Sequence, residues 1–138
     1  MAVSEESLKC TRIAAKSAHE LKATSVFAID VSERLALAEV FLVVSGSSDR
    51  QVRSLVDEVE RALHEAVGLR PVHTEGLGDA RWVLLDYGGL VVHVQQDEDR
   101  DFYALDRLWG DCPSVDLDVP DGQGEAADAG AVDSGATA

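Results

Sequence analysis

Four groups of residues in this 138-residue sequence have types and spacings that chemistry could use. Val44-Ser45-Gly46-Ser47-Ser48 joins an apolar run to a helix start, where free backbone N–H groups and the helix dipole can hold phosphate. It lacks the Lys of a P-loop and the three glycines of a dinucleotide fingerprint, so a tight turn with a helix cap is expected. Nucleotidyl transfer after such a turn would need two neighbouring carboxylates to hold divalent metal. Only Val115-Asp116-Leu117-Asp118-Val119 alternates in that way, and it lies past the last core element, too loosely placed to fix two metals. Asp97-Glu98-Asp99-Arg100-Asp101 begins like a calcium loop, but Phe102 stands where Gly is required and Leu108 where a bidentate Glu should be. His19, His64, His73 and His93 fall at no ligand spacing. His93 with Asp86 has the types of a base and its orienter, yet no nucleophile sits in a recognisable elbow beside them, so a hydrogen-bonded structural histidine is the expectation. No catalytic residue, metal site or cofactor is assigned.

The elements that would position these groups follow from periodicity. Ser4 caps a helix with Glu5 and Glu6 in its first turn, and Cys10, Ala14, Ser17, Ala18 and Leu21 give it an apolar stripe over residues 4–22. Val26 to Val31 reads as a strand. Val40-Phe41-Leu42-Val43-Val44, apolar throughout, reads as a strand covered on both faces. Ser48 and Gln51 form a capping box ahead of Val52, Leu55, Val56, Val59, Ala62, Leu63 and Ala66 on one helix face, which Gly68 ends. Pro71 to Thr74 is a weak strand. Trp82 to Tyr87 and Leu90 to Val94 flank Gly88-Gly89, a pair suited to the positive dihedrals of a tight hairpin. Arg100 to Trp109 can close with a short helix. The order implies an α/β domain with a single mixed β-sheet packed with helices.

Charge marks a boundary. Twelve Lys and Arg against 26 Asp and Glu give a net charge of −14, which repels phosphate backbones and anionic lipid and favours a basic protein partner. From Gly110 onward there are seven acids and no Lys or Arg. That stretch is rich in Gly, Ala and Asp, so the expected division is a folded domain over residues 1–113 and an acidic disordered tail over 114–138. No apolar run suffices to span a bilayer and no leader is evident. A cytoplasmic location with Cys10 and Cys112 as free thiols is therefore expected.

Ser45-Gly46-Ser47-Ser48 with Gln51-Val52, Glu75-Gly76, Trp82-Val83-Leu84-Leu85-Asp86-Tyr87-Gly88-Gly89-Leu90-Val91-Val92-His93-Val94, Arg100, Phe102-Tyr103 and Leu105-Asp106-Arg107-Leu108-Trp109 together resemble the ribosomal silencing factor, or Iojap, family. The resemblance covers roughly residues 7–113. Gly89 stands where that family commonly has Asp, and the acidic tail falls outside the pattern. The resemblance implies a nucleotidyltransferase-like α/β fold lacking the catalytic carboxylates. It also implies a translation repressor that binds the large ribosomal subunit through ribosomal protein L-fourteen and blocks joining of the small subunit when nutrients are scarce. The free protein is open to being a homodimer. Nucleotidyl transfer, or an adaptor role toward another basic protein, is the alternative.

The hairpin suggests where such a partner would bind. Alternation puts Trp82, Leu84 and Asp86 on one face and Val83, Leu85 and Tyr87 on the other. The Leu85 face is wholly apolar or aromatic and suits the helices. The Trp82 face mixes an aromatic with a charge, as an interface centre beside a polar rim does. The expected partner-binding residues are Trp82, Asp86, Glu75 and Arg100, with Tyr87 reaching in from the turn.

Overall fold

Apolar alternation in the strands and small residues at helical spacing call for a sheet with helices laid on it. The computed structural model describes residues 3–98 and 111–118. Its elements run α1 (Glu5–Glu20), β1 (Ser25–Asp30), β2 (Val40–Gly46), α2 (Asp49–Val67), β3 (His73–Glu75), β4 (Trp82–Asp86) and β5 (Leu90–Gln96). The strands form one sheet in the order β1-β2-β5-β4-β3. Among them only β2 and β5 pair in parallel, so a central parallel seam joins two antiparallel halves. This is the mixed α/β sheet expected. The helix expected over Arg100 to Trp109 lies outside the described residues. Among those residues no helix is long and apolar enough to cross a membrane.

Both helices pack on the same face of the sheet, where Leu42, Val44, Val83, Leu85, Val92 and Val94 are fully buried beneath them. Helix α1 starts where the Ser4 hydroxyl accepts the Ser7 N–H at 3.1 Å. Its buried side is made of small residues, Cys10, Ala14, Ala15 and Ala18, which let it approach α2 and the strands closely. Thr11 and Ser17 are buried there too. Their hydroxyls donate to the Ser7 and Ala14 carbonyls of the same helix, each at 2.7 Å, so neither is left unpaired. Leu21, expected to complete the stripe, is instead the C-cap residue and is exposed, because the chain turns away after Glu20. Helix α2 buries Val52, Leu55, Val56, Val59 and Leu63 and ends where Gly68 adopts a left-handed φ of 71°. Ala66, expected on that face, is exposed.

The β4–β5 hairpin closes through the Tyr87 N–H to the Leu90 carbonyl at 2.9 Å, leaving Gly88-Gly89 as its loop. The two glycines serve different ends. Gly88 has a φ of 94°, whereas Gly89 lacks a positive φ and is needed for room. A Cβ on Gly89 would lie 2.6 Å from the Ser7 hydroxyl and 3.2 Å from a Glu39 carboxylate oxygen. An Asp at this position would therefore meet a second carboxylate. Glu39 in turn accepts the Ser4 N–H at 2.7 Å, a bond that holds its carboxyl below the usual range.

The expected boundary after Pro113 cuts through packed structure. The Asp30 N–H donates to the Pro113 carbonyl at 2.8 Å, the Val115 N–H to the Ala28 carbonyl at 3.0 Å, and Ser114 bridges Ile29. Leu117 follows into the core at 2% exposure, with Arg12 donating to the neighbouring Asp116 carbonyl at 2.9 Å. Residues 114–118 thus strap the β1 edge, using the alternation of Val115, Asp116 and Leu117 to bury one side and solvate the other.

Candidate interaction surface

The second face of the sheet receives neither α1 nor α2, and the strand registers define what it presents. One row across the sheet reads Phe27, Val43, His93, Leu84 and Glu75, from β1 to β3. The row below it reads Ile29, Phe41, Val91, Asp86 and His73, and the row above holds Ser25, Ser45, Gln95 and Trp82. Val43, His93 and Gln95 at the centre are buried. Along β4, burial alternates as expected: Val83 and Leu85 are fully covered by the helices, while Trp82, Leu84 and Asp86 are half-buried on this side.

Trp82 is held by its neighbour strand. Its indole N–H donates to His93 Nδ1 at 3.1 Å, with the rings 6.0 Å apart and tilted by 49°. His93 also meets the Phe41 ring edge-on at 4.7 Å. Burial lowers the His93 pKa to about 4, which keeps the imidazole neutral. Asp86 uses Oδ1 to accept the Gly88 N–H at 2.8 Å, fixing the hairpin turn, so it does not orient His93. His93 is the hydrogen-bonded structural histidine that its place in a strand suggests. The missed feature is its bond to Trp82, although the two-residue loop fixes a register that sets Leu84 opposite His93 and Trp82 diagonal to it.

Glu75 joins Trp82 and Asp86 on this face, opposite Leu84, and is exposed with its carboxylate 2.6 Å from His73 Nε2. The loop from Glu75 back to Trp82 has little freedom. At Gly76, with a φ of 88°, a Cβ would lie 2.0 Å from the Trp82 carbonyl oxygen. Arg53 of α2 clamps the same loop by donating to the Leu77 and Gly78 carbonyls at 2.9 and 3.0 Å. Tyr87 does not belong with this group. It packs against the helix-side core, where Glu60 of α2 and Cys10 of α1 act on its hydroxyl and burial pushes the pKa of that hydroxyl upward. The alternation that brings Trp82 and Asp86 outward carries Tyr87 inward. Arg100 lies outside the described residues.

The Gly-Ser turn is occupied by the chain itself. Ser48 accepts the Gln51 N–H at 3.1 Å as the cap of α2, and Gln51 Oε1 accepts the Ser47 N–H at 2.7 Å, one residue before the position a capping box would use. Gln51 Nε2 donates to the Lys22 carbonyl at 3.1 Å. A Cβ on Gly46 would come within 3.2 Å of Gln51 Oε1 and of the Leu55 side chain. The tight turn plus cap is therefore what this motif builds. Asp116 and Asp118 sit on the strap along β1, where Asp116 Oδ1 accepts the Asp118 N–H at 3.0 Å. Among the described residues no three His, Cys, Asp or Glu side chains gather as metal ligands would.

The family model described as "Ribosomal silencing factor during starvation" matches residues 4–137, so the acidic tail expected to fall outside the family pattern lies within the matched span. A ribosomal silencing factor from Bacillus subtilis is 38% identical over 107 residues, covering 78% of this chain and 90% of that protein. The chloroplastic Iojap protein of Zea mays is 27% identical over 106 residues, which are 75% of this chain and 44% of that one. Among solved structures, a Chromobacterium violaceum protein superposes with a TM-score of 0.71 at 34% identity, covering 75% of this chain and 86% of that chain. A Bacillus halodurans protein gives 0.67 at 32% identity, over 82% and 99% of the two chains.

Proposed function

We propose a function from one premise: this chain belongs to the ribosomal silencing factor family. It acts in the cytoplasm as a translation repressor, binding the large ribosomal subunit through protein L-fourteen and sterically preventing the small subunit from joining when nutrients are limiting. The observation that carries this reading is the β4 side of the face that receives neither α1 nor α2, where the half-buried Trp82 and Leu84 stand beside the carboxylates of Asp86 and Glu75. Ribosomal proteins are basic, so a chain of net charge −14 gains encounter rate and partner selectivity from charge complementarity. Trp82 supplies the desolvated anchor, Asp86 and Glu75 make the polar contacts around it, and Arg100 is a further partner contact. Tyr87 supports the hairpin from behind. The protein works by occupying a surface and consumes no nucleotide, a reading supported by Gln51 and Ser48 having taken up the Ser47 and Gln51 backbone N–H groups around the start of α2.

Light scattering of mixed large and small subunits tests the proposal. Saturating protein is expected to suppress joining, and cosedimentation is expected with large subunits only. Unchanged joining would overturn it. Sedimentation of the free protein in the same buffer reads monomer against homodimer. A metal-dependent titration with nucleoside triphosphate would restore the enzymatic alternative if it showed binding.

A further inference from the structure

We propose that His93 is a positioning residue, which fixes the Trp82 indole in the orientation that meets the partner; this rests on the reading of the Trp82 face given above. The Trp82 N–H to His93 Nδ1 bond of 3.1 Å assigns the imidazole tautomer, because an Nδ1 that accepts leaves the proton on Nε2. The ring itself cannot drift. His93 is 6% exposed, sits between Val43 of β2 and Leu84 of β4, and is met edge-on by Phe41. Trp82 by contrast is half-buried near the end of β4 adjoining the Gly76 loop. The bond therefore runs from a half-buried indole to a buried acceptor.

What imidazole provides here is visible from what it costs. Its Nε2 is buried and has no hydrogen-bond partner among the described residues. A buried donor left unpaired is destabilising, a penalty that a phenyl ring filling the same space would avoid. The group that imidazole has and phenyl lacks is the Nδ1 acceptor, and that acceptor is engaged by Trp82. The neutral state needed for accepting is secured by burial, which holds the pKa near 4. An anchor already held in its bound orientation loses less side-chain entropy on association, so the benefit appears as affinity.

The test uses the full chain and isolated large subunits, with His93→Phe, His93→Asn, His93→Gln and Trp82→Ala. Asn can place its Oδ1 near the position of Nδ1, whereas Gln reaches toward that of Nε2. Folded H93F is expected to bind roughly threefold to tenfold more weakly, H93N to recover most of the loss, and H93Q to recover little of it. The Trp82 indole N–H resonance, identified by its absence in W82A, should move upfield and exchange faster in H93F and H93Q and return in H93N. If H93F does not fold, the Asn and Gln variants carry the comparison, and equal affinities for those two would overturn the inference. Wild-type affinity in folded H93F alongside weakened W82A would overturn it while leaving the face assignment intact. Wild-type affinity in W82A would overturn both.

Discussion

The two faces of one sheet have been built to opposite rules. The face under α1 and α2 is apolar at its centre, with Leu42, Val44, Val83, Leu85, Val92 and Val94 fully buried, and of its buried hydroxyls those of Thr11 and Ser17 pair within α1 while that of Tyr87 has no partner among the described residues. The opposite face mixes Val43 and Leu84 with His93, Gln95, Trp82 and Asp86, and it contains both amide atoms of Gln95 and His93 Nε2 buried without a hydrogen-bond partner among the described residues. Burial of unpaired polar groups weakens a fold. The face under the helices is thus the chief source of stability, and the other carries most of the unpaired polar atoms among its shaped polar and aromatic side chains. The same β4 strand serves both, one residue apart.

Removing a side chain from the covered face should give the largest effect. Leu85→Ala is expected to cost about 2–5 kcal/mol of unfolding free energy in denaturant titration, with unchanged affinity per folded molecule. A smaller loss, or a binding defect in the folded fraction, would erase the contrast between faces. The strap extends that face beyond β1, so truncation after Pro113 should lower stability by about 2–3 kcal/mol through loss of buried Leu117, while truncation after Asp118 should leave the melting temperature nearly unchanged. Equal melting temperatures for the two truncations would show that the strap contributes nothing. On the other face, Trp82→Ala should weaken binding to large subunits by about 2 kcal/mol with little loss of stability. The reverse pattern, a destabilised protein binding normally once folded, would make Trp82 a core residue. Tyr87→Phe is the mildest change. The Tyr87 hydroxyl is buried with no partner among the described residues, so deleting it should raise stability by about 1 kcal/mol without affecting binding. Because the folded-state pKa of this tyrosine is raised, the wild type should lose stability as pH climbs above about 10, and Y87F should lack that contribution.

The hairpin and the choice of its outward face were legible because both follow from local rules. Gly88-Gly89 announces a two-residue loop, and the loop fixes register and facing for every residue of β4 and β5. Tyr87 obeys the same alternation, which sets it with Val83 and Leu85 on the helix side, where it packs against the core rather than reaching round the turn. The strap was hidden for a different reason. Val115 to Asp118 shows strand alternation, but its partner is β1, more than eighty residues earlier, and nothing in a local window reveals a pairing at that distance. The role of Gly89 was hidden likewise: its need is for space beside Ser7 and Glu39, which only the folded chain brings together. Of the candidate site, Trp82, Asp86 and Glu75 come together as alternation and register require, whereas the tie to His93 needed the cross-strand arithmetic to be carried one diagonal further.

The parallel seam between β2 and β5 carries a consequence for how the chain reaches this structure. Each of its pairs, from Val40 with Leu90 to Gly46 with Gln96, joins residues fifty positions apart. The β1–β2 and β4–β5 ladders close over much shorter stretches and can form early, on either side of a gap that α2 and β3 must be ordered to bridge. Zipping the seam is then the slow, committing event. Until it happens, the strongly apolar edge of Val40 to Val44 stands unpaired on one side, making it the segment of a nascent chain most in need of shielding from its neighbours.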